Sequence, residues 1–419
     1  MFDKKLLALG YKRSAIREVY THSLKRKAEI GDDKVFDFSL GNPSIPAPKI
    51  VENTINRILK EEDSVKIHGY TIAPGDLSVR NKIAKYLNKT YGTDVKGKYI
   101  FMTCGASSSL AIIAKAVLFP GDEVIVFAPH FPEHRVYSEA VGGIVIPIQP
   151  QKNFLPNFDE FKNKITDKTK LVIYNSPNNP TGVFYDEDTI VKLTNILKEK
   201  ENEYRHPIYL LSDEPYRELL YCGEKYPFIT NYYDNSFVAY SFSKCLSLPG
   251  ERIGYVLVNP NCKDVDDVYA CVMGAARLLG YICAPSLFQF MIPEVLGYTS
   301  NLIEYKENRD LLYKALIDIG YNAVFPTGAY YLFVKALEED SEKFVEIAKK
   351  FELYLVPSDS FDYPGYVRLS YCKNKQMIID SIPAFKALFE YYENKKSAIW
   401  FGTFLFFNLF FRHKFLCGF

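Results

Sequence analysis

Three side chains stand where chemistry could be done: a lysine ending one apolar run, a carboxylate ending another, and an arginine inside a third. The run FVAYSFSKCLSLPGERIGYV carries Ser241, Ser243 and Lys244, with Arg252 eight residues on. PIYLLSDEPY ends in Asp213-Glu214 and then Tyr216, and LVIYNSPNNPTG ends in Asn175 followed by Asn178 and Asn179. EVIVFAPHFP ends in His130-Phe131. MTCGASSSL sets Gly105, Ala106 and Ser107 where a helix should begin, and the free N–H groups and dipole of a helix N-terminus form a ready phosphate site. Arg368 sits within YVRLSY, an apolar setting in which an unpaired guanidinium would be costly. A phosphate site, an amine, an arginine, a carboxylate and an aromatic ring together suit a phosphorylated aromatic aldehyde held on the lysine as a Schiff base. The amine attacks the aldehyde, the carboxylate keeps the ring nitrogen protonated, and the ring accepts electrons.

The elements that must position these residues alternate. Helical patterns are expected at 14–30, 49–61 and 76–90, and a short strand at 35–40 that Gly41-Asn42-Pro43 ends. Strands follow at 99–102, 123–128, 143–148, 170–175, 207–212, 237–241 and 253–258, with helices such as 106–118 and 186–200 between several of them. Near-continuous apolar strands separated by helices predict an open α/β sheet covered on both faces. In such a sheet ligands bind beyond the carboxyl ends of the strands, where the residues above lie. After 284 the pattern changes to a helical region at 286–318, apolar residues at 324–335, a helix at 340–351, strands near 353–357 and 366–371, and a helix at 375–394. The expected organisation is an N-terminal segment, 1–45, packing with the small domain; a large cofactor-binding domain, 46–284; a small α+β domain, 285–396; and an atypical hydrophobic tail, 397–419.

Composition narrows the class. In 419 residues, 48% are apolar and 24% charged, and 51 basic residues balance 50 acidic ones. That is a globular chain with no overall field to recruit nucleic acid or an anionic membrane. Eight cysteines form no C-x-x-C pair and stand at no zinc-ligand spacing from a histidine, so no metal is expected; the thiols read as reduced and cytoplasmic. The tail differs: residues 398–411 read AIWFGTFLFFNLFF, and eight of the 31 phenylalanines fall in the last 19 residues. Fourteen residues, interrupted by Gly402, Thr403 and Asn408, fall short of the ~20 needed to span a bilayer. The expectation is an appended segment, a frameshifted or read-through end, and no membrane association.

NNPTG at 178–182, SDEPY at 212–216, SFSK at 241–244, GERIGY at 250–255 and YVRLSY at 366–371, in this order, resemble the class I aminotransferases of fold type I. The resemblance runs from about residue 35 to 394, and it implies pyridoxal 5′-phosphate as cofactor, amino acid and 2-oxoacid substrates, and a homodimer with shared active sites. On that resemblance Lys244 matches the Schiff-base lysine that also shuttles the proton, and Asp213 matches the partner of the pyridinium nitrogen. Tyr216 and Asn179 match the two groups on the ring hydroxyl, and Phe131 the residue stacked on the ring. Gly105, Ala106, Ser107, Ser241 and Arg252 match the phosphate cradle. Tyr70, in HGYTIAPGDLSVR, matches the tyrosine reaching the phosphate of the neighbouring subunit. Arg368 matches the bidentate grip on the substrate α-carboxylate, with Gly41 and Asn179 beside it.

Substrate choice is thinner. The lysine that some members carry for a distal carboxylate is Ser107 here. Arg277 lies near a segment from which other members send an arginine across the dimer, but the spacing to Ala284-Pro285 does not match. Length and motif style are closest to the aspartate aminotransferase group. A C–S or C–C lyase on the same fold and a non-catalytic regulatory protein are the alternatives. A nicotinamide dehydrogenase is disfavoured, since no G-x-G-x-x-G follows a strand. His68 and His130 read as packing residues, and Cys245 as a small buried one.

Overall fold

The computed structural model describes residues 2–11 and 14–416, with side chains through Lys395. Helices α1 (Lys4–Tyr11) and α2 (Ala15–Ile30) precede a two-residue strand, β1 (Phe36–Asp37). Helices α3 (Lys49–Glu61), α4 (Ser64–His68) and α5 (Leu77–Tyr91) lead to β2 (Ile100–Thr103) and α6 (Ala106–Val117). Then come β3 (Glu123–Phe127), α7 (Glu133–Ala140), β4 (Ile144–Ile148), α8 (Phe158–Lys164), β5 (Thr169–Asn175), α9 (Glu187–Tyr204), β6 (Tyr209–Asp213), β7 (Ser236–Ser241), β8 (Gly254–Val258) and α10 (Val265–Leu279). The remainder comprises α11 (Ser286–Val295), α12 (Leu302–Ile319), β9 (Tyr331–Lys335), α13 (Ser341–Ala348), β10 (Leu353–Tyr354), β11 (Val356–Pro357), β12 (Tyr366–Ser370) and α14 (Lys375–Leu416).

Seven strands form the central sheet in the order β2-β8-β7-β6-β5-β3-β4, parallel except for β8, which runs against both neighbours. The fold is thus the expected α/β type with a mostly parallel sheet flanked by helices. Its strands read as continuous apolar runs because both faces are covered. On one face Val124, Ile173, Leu211 and Val256 pack with Leu110 and Ile113 of α6 and Val272 of α10. On the other, Ile125, Val172, Leu210 and Leu257 pack with Ile83 of α5 and Leu193 of α9. Parallel register sets Asn175 beside Asp213 and Asp213 beside Ala239, so the polar ends of β5 and β6 emerge together.

A second, antiparallel sheet, β11-β12-β9, carries Arg368 opposite Phe333 and Val356. A separate parallel pair joins β1 to β10, Phe36 beside Leu353, tying the N-terminal segment to the C-terminal part of the chain.

Several expectations need correction. The strand at 35–40 is only two residues long: Phe38 still donates to the Tyr354 carbonyl, and beyond it the Ser39 backbone N–H is taken at 2.9 Å by the buried Asp37 carboxylate instead of a neighbouring strand. The helical region at 286–318 is two helices, broken at Gly297, whose φ of +85° a helix cannot hold. The strand near 353–357 is two dipeptides serving different sheets. Helices α7, α8 and α10 were not anticipated. The terminal helix does not stop at 394 but continues to Leu416. The side chains of the aromatic tail lie outside the described residues; among the described residues no helix is long and apolar enough to cross a membrane.

Candidate active site

The strand ends and the antiparallel sheet enclose a cavity of about 270 Å³ lined by Gly41, Ala106, Ser107, Phe131, Asn179, Asp213, Tyr216, Ser241, Lys244, Arg252 and Arg368, with further residues named below. Nearly every residue the sequence singled out is therefore in one place. Gly105 stands just behind it as the N-cap of α6. Tyr70 is the exception: it is absent from the cavity lining and 97% exposed.

Lys244 follows β7 at the floor. Its amine donates to the Gly41 carbonyl at 2.8 Å. Removal from water pulls its pKa down to about 8; the nearby Cys372 thiol opposes that shift, and Arg252 and Arg368 add to it through repulsion. A substantial fraction of the amine is consequently neutral near physiological pH, the form that can attack a carbonyl or take a proton. Gly41 needs to be glycine: a Cβ there would collide with the Tyr331 hydroxyl.

Asp213 ends β6 and is buried. One carboxylate oxygen accepts from His134 Nε2 at 3.0 Å, while the other, Oδ1, has no protein partner. Burial lowers the His134 pKa, so the ring is neutral at pH 7, and the carboxylate fixes the proton on Nε2. A buried carboxylate with one orphaned oxygen at a cavity wall is costly unless a cationic N–H is brought to it. Phe131 lines the same wall, its ring edge-on to His134 at 5.8 Å.

Another end of the cavity is built from the first turn of α6 and the loop after β7. Gly105, at φ +85°, allows the turn into the helix; a Cβ on it would lie 2.7 Å from Arg252 Nη2. Arg252 donates to the Cys104 carbonyl at 3.1 Å and the Pro249 carbonyl at 2.9 Å, not to Glu251, and Ser241 and Ser243 share a 2.7 Å hydrogen bond beside it. Hydroxyls, a guanidinium and a helix N-terminus therefore converge there.

Arg368 is 1% exposed. Its Nη1 donates to Asn179 Oδ1 at 2.9 Å and its Nη2 to the Ser39 carbonyl at 2.5 Å, while Nε has no partner. The guanidinium stacks over Tyr331 at 4.5 Å, and Tyr331 shares a 2.8 Å hydrogen bond with Tyr216. Burial keeps both phenols neutral by pushing their pKa values up. Asn179 is fixed from below, its backbone N–H donating to Asn175 Oδ1, while Asn175 Nδ2 donates to the Asp213 carbonyl.

Sequence reasoning missed His134, Tyr331, Tyr137, Arg17 and Glu133. A histidine three residues after Phe131 was a legible signal only once α7 was recognised. His130, by contrast, is the packing residue expected, clasped at 2.9 Å by Asp362. Among the described residues no group of three or more ligating side chains could hold a metal ion. The residues do fit pyridoxal phosphate. The orphaned Asp213 oxygen suits a ring N–H, the neutral amine suits an aldehyde, and the α6 cradle suits a phosphate.

The family model described as aminotransferase class I and II matches residues 33–380. A probable aspartate aminotransferase of Methanocaldococcus jannaschii is 30% identical over 390 residues, 90% of this chain and 98% of that protein. The aspartate aminotransferase of Pyrococcus horikoshii is 29% identical over 88% of this chain and 93% of its own. Among solved structures, an aminotransferase from Eubacterium rectale superposes with a TM-score of 0.90 at 49% identity, covering 94% of this chain and 99% of the other. The aspartate aminotransferase of Thermotoga maritima gives 0.82 at 27%, covering 93% and 100%.

Proposed function

The chain belongs to the class I and II aminotransferases, pyridoxal-phosphate-dependent enzymes that move an amino group from an amino acid to a 2-oxoacid, and from that premise we propose how its residues divide the work. Bound in the cavity, the cofactor supplies an aldehyde and a ring that accepts electron density. Lys244 is the covalent anchor and the proton carrier. Its lowered pKa leaves part of the amine neutral near physiological pH, and the Gly41 carbonyl holds it on the cavity floor. Asp213 keeps the ring nitrogen protonated, and His134 holds the Asp213 carboxylate in place without adding charge. Tyr216 and Asn179 contact the ring hydroxyl, and Phe131 covers one ring face. Gly105, Ala106, Ser107, Ser241 and Arg252 form the phosphate cradle. Arg368 takes the α-carboxylate of the amino acid, pre-aimed by Asn179 and the Ser39 carbonyl, so that binding does not have to order it.

The observation that carries this reading is the orphaned, buried Asp213 oxygen in the same cavity as a half-buried amine whose pKa has fallen to about 8. The substrates we infer are aspartate-like amino donors, supported by the names of the relatives. A homodimer whose partner contributes Tyr70 is supported by the exposure of that residue and of Ile72, Leu278 and Ile282. We also keep the division into a large domain, 46–284, and a small one, 285–396, with 1–45 packed on the latter. The pairing of β1 with β10 supports that division. Action in the cytoplasm is supported by the seven free cysteines among the described residues.

The test is spectroscopic. The purified protein should absorb in the visible, and borohydride reduction followed by peptide mapping should label Lys244. A colourless protein, or a label elsewhere, refutes the assignment. Amino donors offered with 2-oxoglutarate should then yield glutamate; release of ammonia and pyruvate without an oxoacid would favour a lyase instead.

A further inference from the structure

Four cationic side chains line the cavity: Lys244, Arg252, Arg368 and Arg17. The first three have duties above. Arg17 has none. It lies in the first turn of α2, far in sequence from every motif, and is brought to the cavity with its neighbours Ser14 and Ile16. Arg17 is solvent-exposed and its guanidinium makes no ion pair within 4 Å among the described residues, whereas Arg252 and Arg368 are each held by carbonyl or amide oxygens. Across from it lies Glu133, the first residue of α7, which also lines the cavity and is partly buried. Burial pushes the Glu133 carboxyl pKa up, and the charge of Arg17 is the influence that opposes this. Ser107 and Tyr137 complete that wall with neutral hydroxyls.

An ordinary amino acid presents one carboxylate, and Arg368 accounts for it; the cofactor phosphate is accounted for by Arg252 and the α6 turn. A third cation facing the same space, without a tight counter-ion of its own, is suited to a third anionic group. We propose that Arg17 receives the distal carboxylate of a dicarboxylic amino acid or its 2-oxoacid, Glu133 being the acid that balances it when that place is empty. Arg17 is then a specificity-determining residue, and the preferred substrates are four- and five-carbon dicarboxylates. This rests on the amino-acid-site reading above and adds to it the residue that distinguishes acidic from neutral side chains. The arginine reaches the site from α2 of the same chain, whereas Arg277 is not part of its own chain's cavity lining.

The experiment measures equilibrium binding of succinate and of butyrate to the holoenzyme by calorimetry, alongside kcat/KM for aspartate and for alanine. In Arg17→Ala the dissociation constant for succinate should rise about tenfold or more, with that for butyrate unchanged, and the aspartate-to-alanine ratio of kcat/KM should fall by a similar factor. Arg17→Lys should retain part of the preference, since the charge remains while the planar fork is lost. Equal loss for both ligands, no loss for either, or a loss of dicarboxylate preference that follows Arg277→Ala instead, overturns the proposal. Arg368→Ala separates the two readings. It should weaken butyrate and succinate alike; if butyrate were unaffected, the α-carboxylate assignment would fail, independently of what Arg17 does.

Discussion

A half-buried amine whose pKa has dropped from 10.5 to about 8 has consequences that can be measured before any turnover. In protein stripped of cofactor, uptake of the aldehyde requires neutral Lys244. The second-order rate of reconstitution should therefore climb with pH and level off above an inflection near 8. A lysine left in water would give an inflection near 10.4. Stopped-flow absorbance across pH 6–10.5 reads this directly, and an inflection at or above 10 would mean that the cavity does not desolvate the amine. The sign for stability is consistent with that. The unfolded chain binds the Lys244 proton more tightly than the native one, so this group makes the cofactor-free protein more stable as pH rises from about 8 towards 10.5. At this scale the sequence was informative wherever a polar residue interrupted an apolar run. Arg368 within YVRLSY could be picked out because burying a guanidinium demands a reason, and its bonds to Asn179 and Ser39 are that reason. His134 and Arg17 gave no such signal. One is a histidine in a polar-looking segment, the other a charged residue on an amphipathic helix, and what distinguishes each is chain more than 70 residues away: Asp213 bonded to His134, and the cavity that Arg17 helps to line.

Elements were legible where period and burial agree. The central strands, buried on both faces, announce themselves as apolar runs, and their polar C-terminal residues mark the cavity edge without further information. Short elements were not. Helix α7 has eight residues and two of them fully buried, too few for a periodic pattern to rise above its surroundings. β1 failed in the other direction: Phe38 makes the last bond to its partner, the Asp37 carboxylate takes the Ser39 N–H, and the ladder is two residues long. The α6 turn gives a prediction at this scale. Gly105→Ala combines a left-handed backbone with a Cβ lying 2.7 Å from the end of Arg252, a flexible side chain that would have to move. The expected cost is ~1–3 kcal/mol of stability from backbone strain. With Arg252 displaced from the cradle, cofactor affinity should also fall by roughly tenfold, the worth of one charge-assisted hydrogen bond. Thermal unfolding with and without cofactor, together with a cofactor titration, checks both. Lowered stability with unchanged affinity would show that Arg252 does not depend on the glycine for its position.

The arrangement of the whole molecule was legible as an α/β sheet followed by a smaller sheet, but the sequence could not show how the pieces close on one another. The cavity exists because Arg368 on the antiparallel sheet, Gly41 after the β1–β10 pair and the ends of β5, β6 and β7 face a common space, and none of those relations is local. The same scale governs Tyr70. It follows α4 in a loop whose Thr71 and Ala73 carbonyls accept from Cys283, just beyond α10. Exposed apolar residues from both segments, Tyr70 and Ile72 on one side and Leu278 and Ile282 on the other, therefore share a region of surface. A tyrosine almost wholly exposed in one chain contributes nothing to that chain's own cavity, so if it serves a phosphate, that phosphate belongs to a second copy. Two crippled chains can test this. Lys244→Ala removes the anchor but leaves Tyr70 to offer, and Tyr70→Phe keeps the anchor but cannot offer the hydroxyl. In a mixed dimer one of the two sites combines an intact Lys244 with an intact Tyr70. Refolding the variants together should restore up to about a quarter of wild-type activity, since random pairing makes half the dimers mixed and each mixed dimer carries one complete site. The gain should be absent when the two are mixed without dissociation. Activity of the co-refolded sample that merely averages the two parents would show that each site is complete within its own chain, and the exposure of Tyr70 would then need another cause.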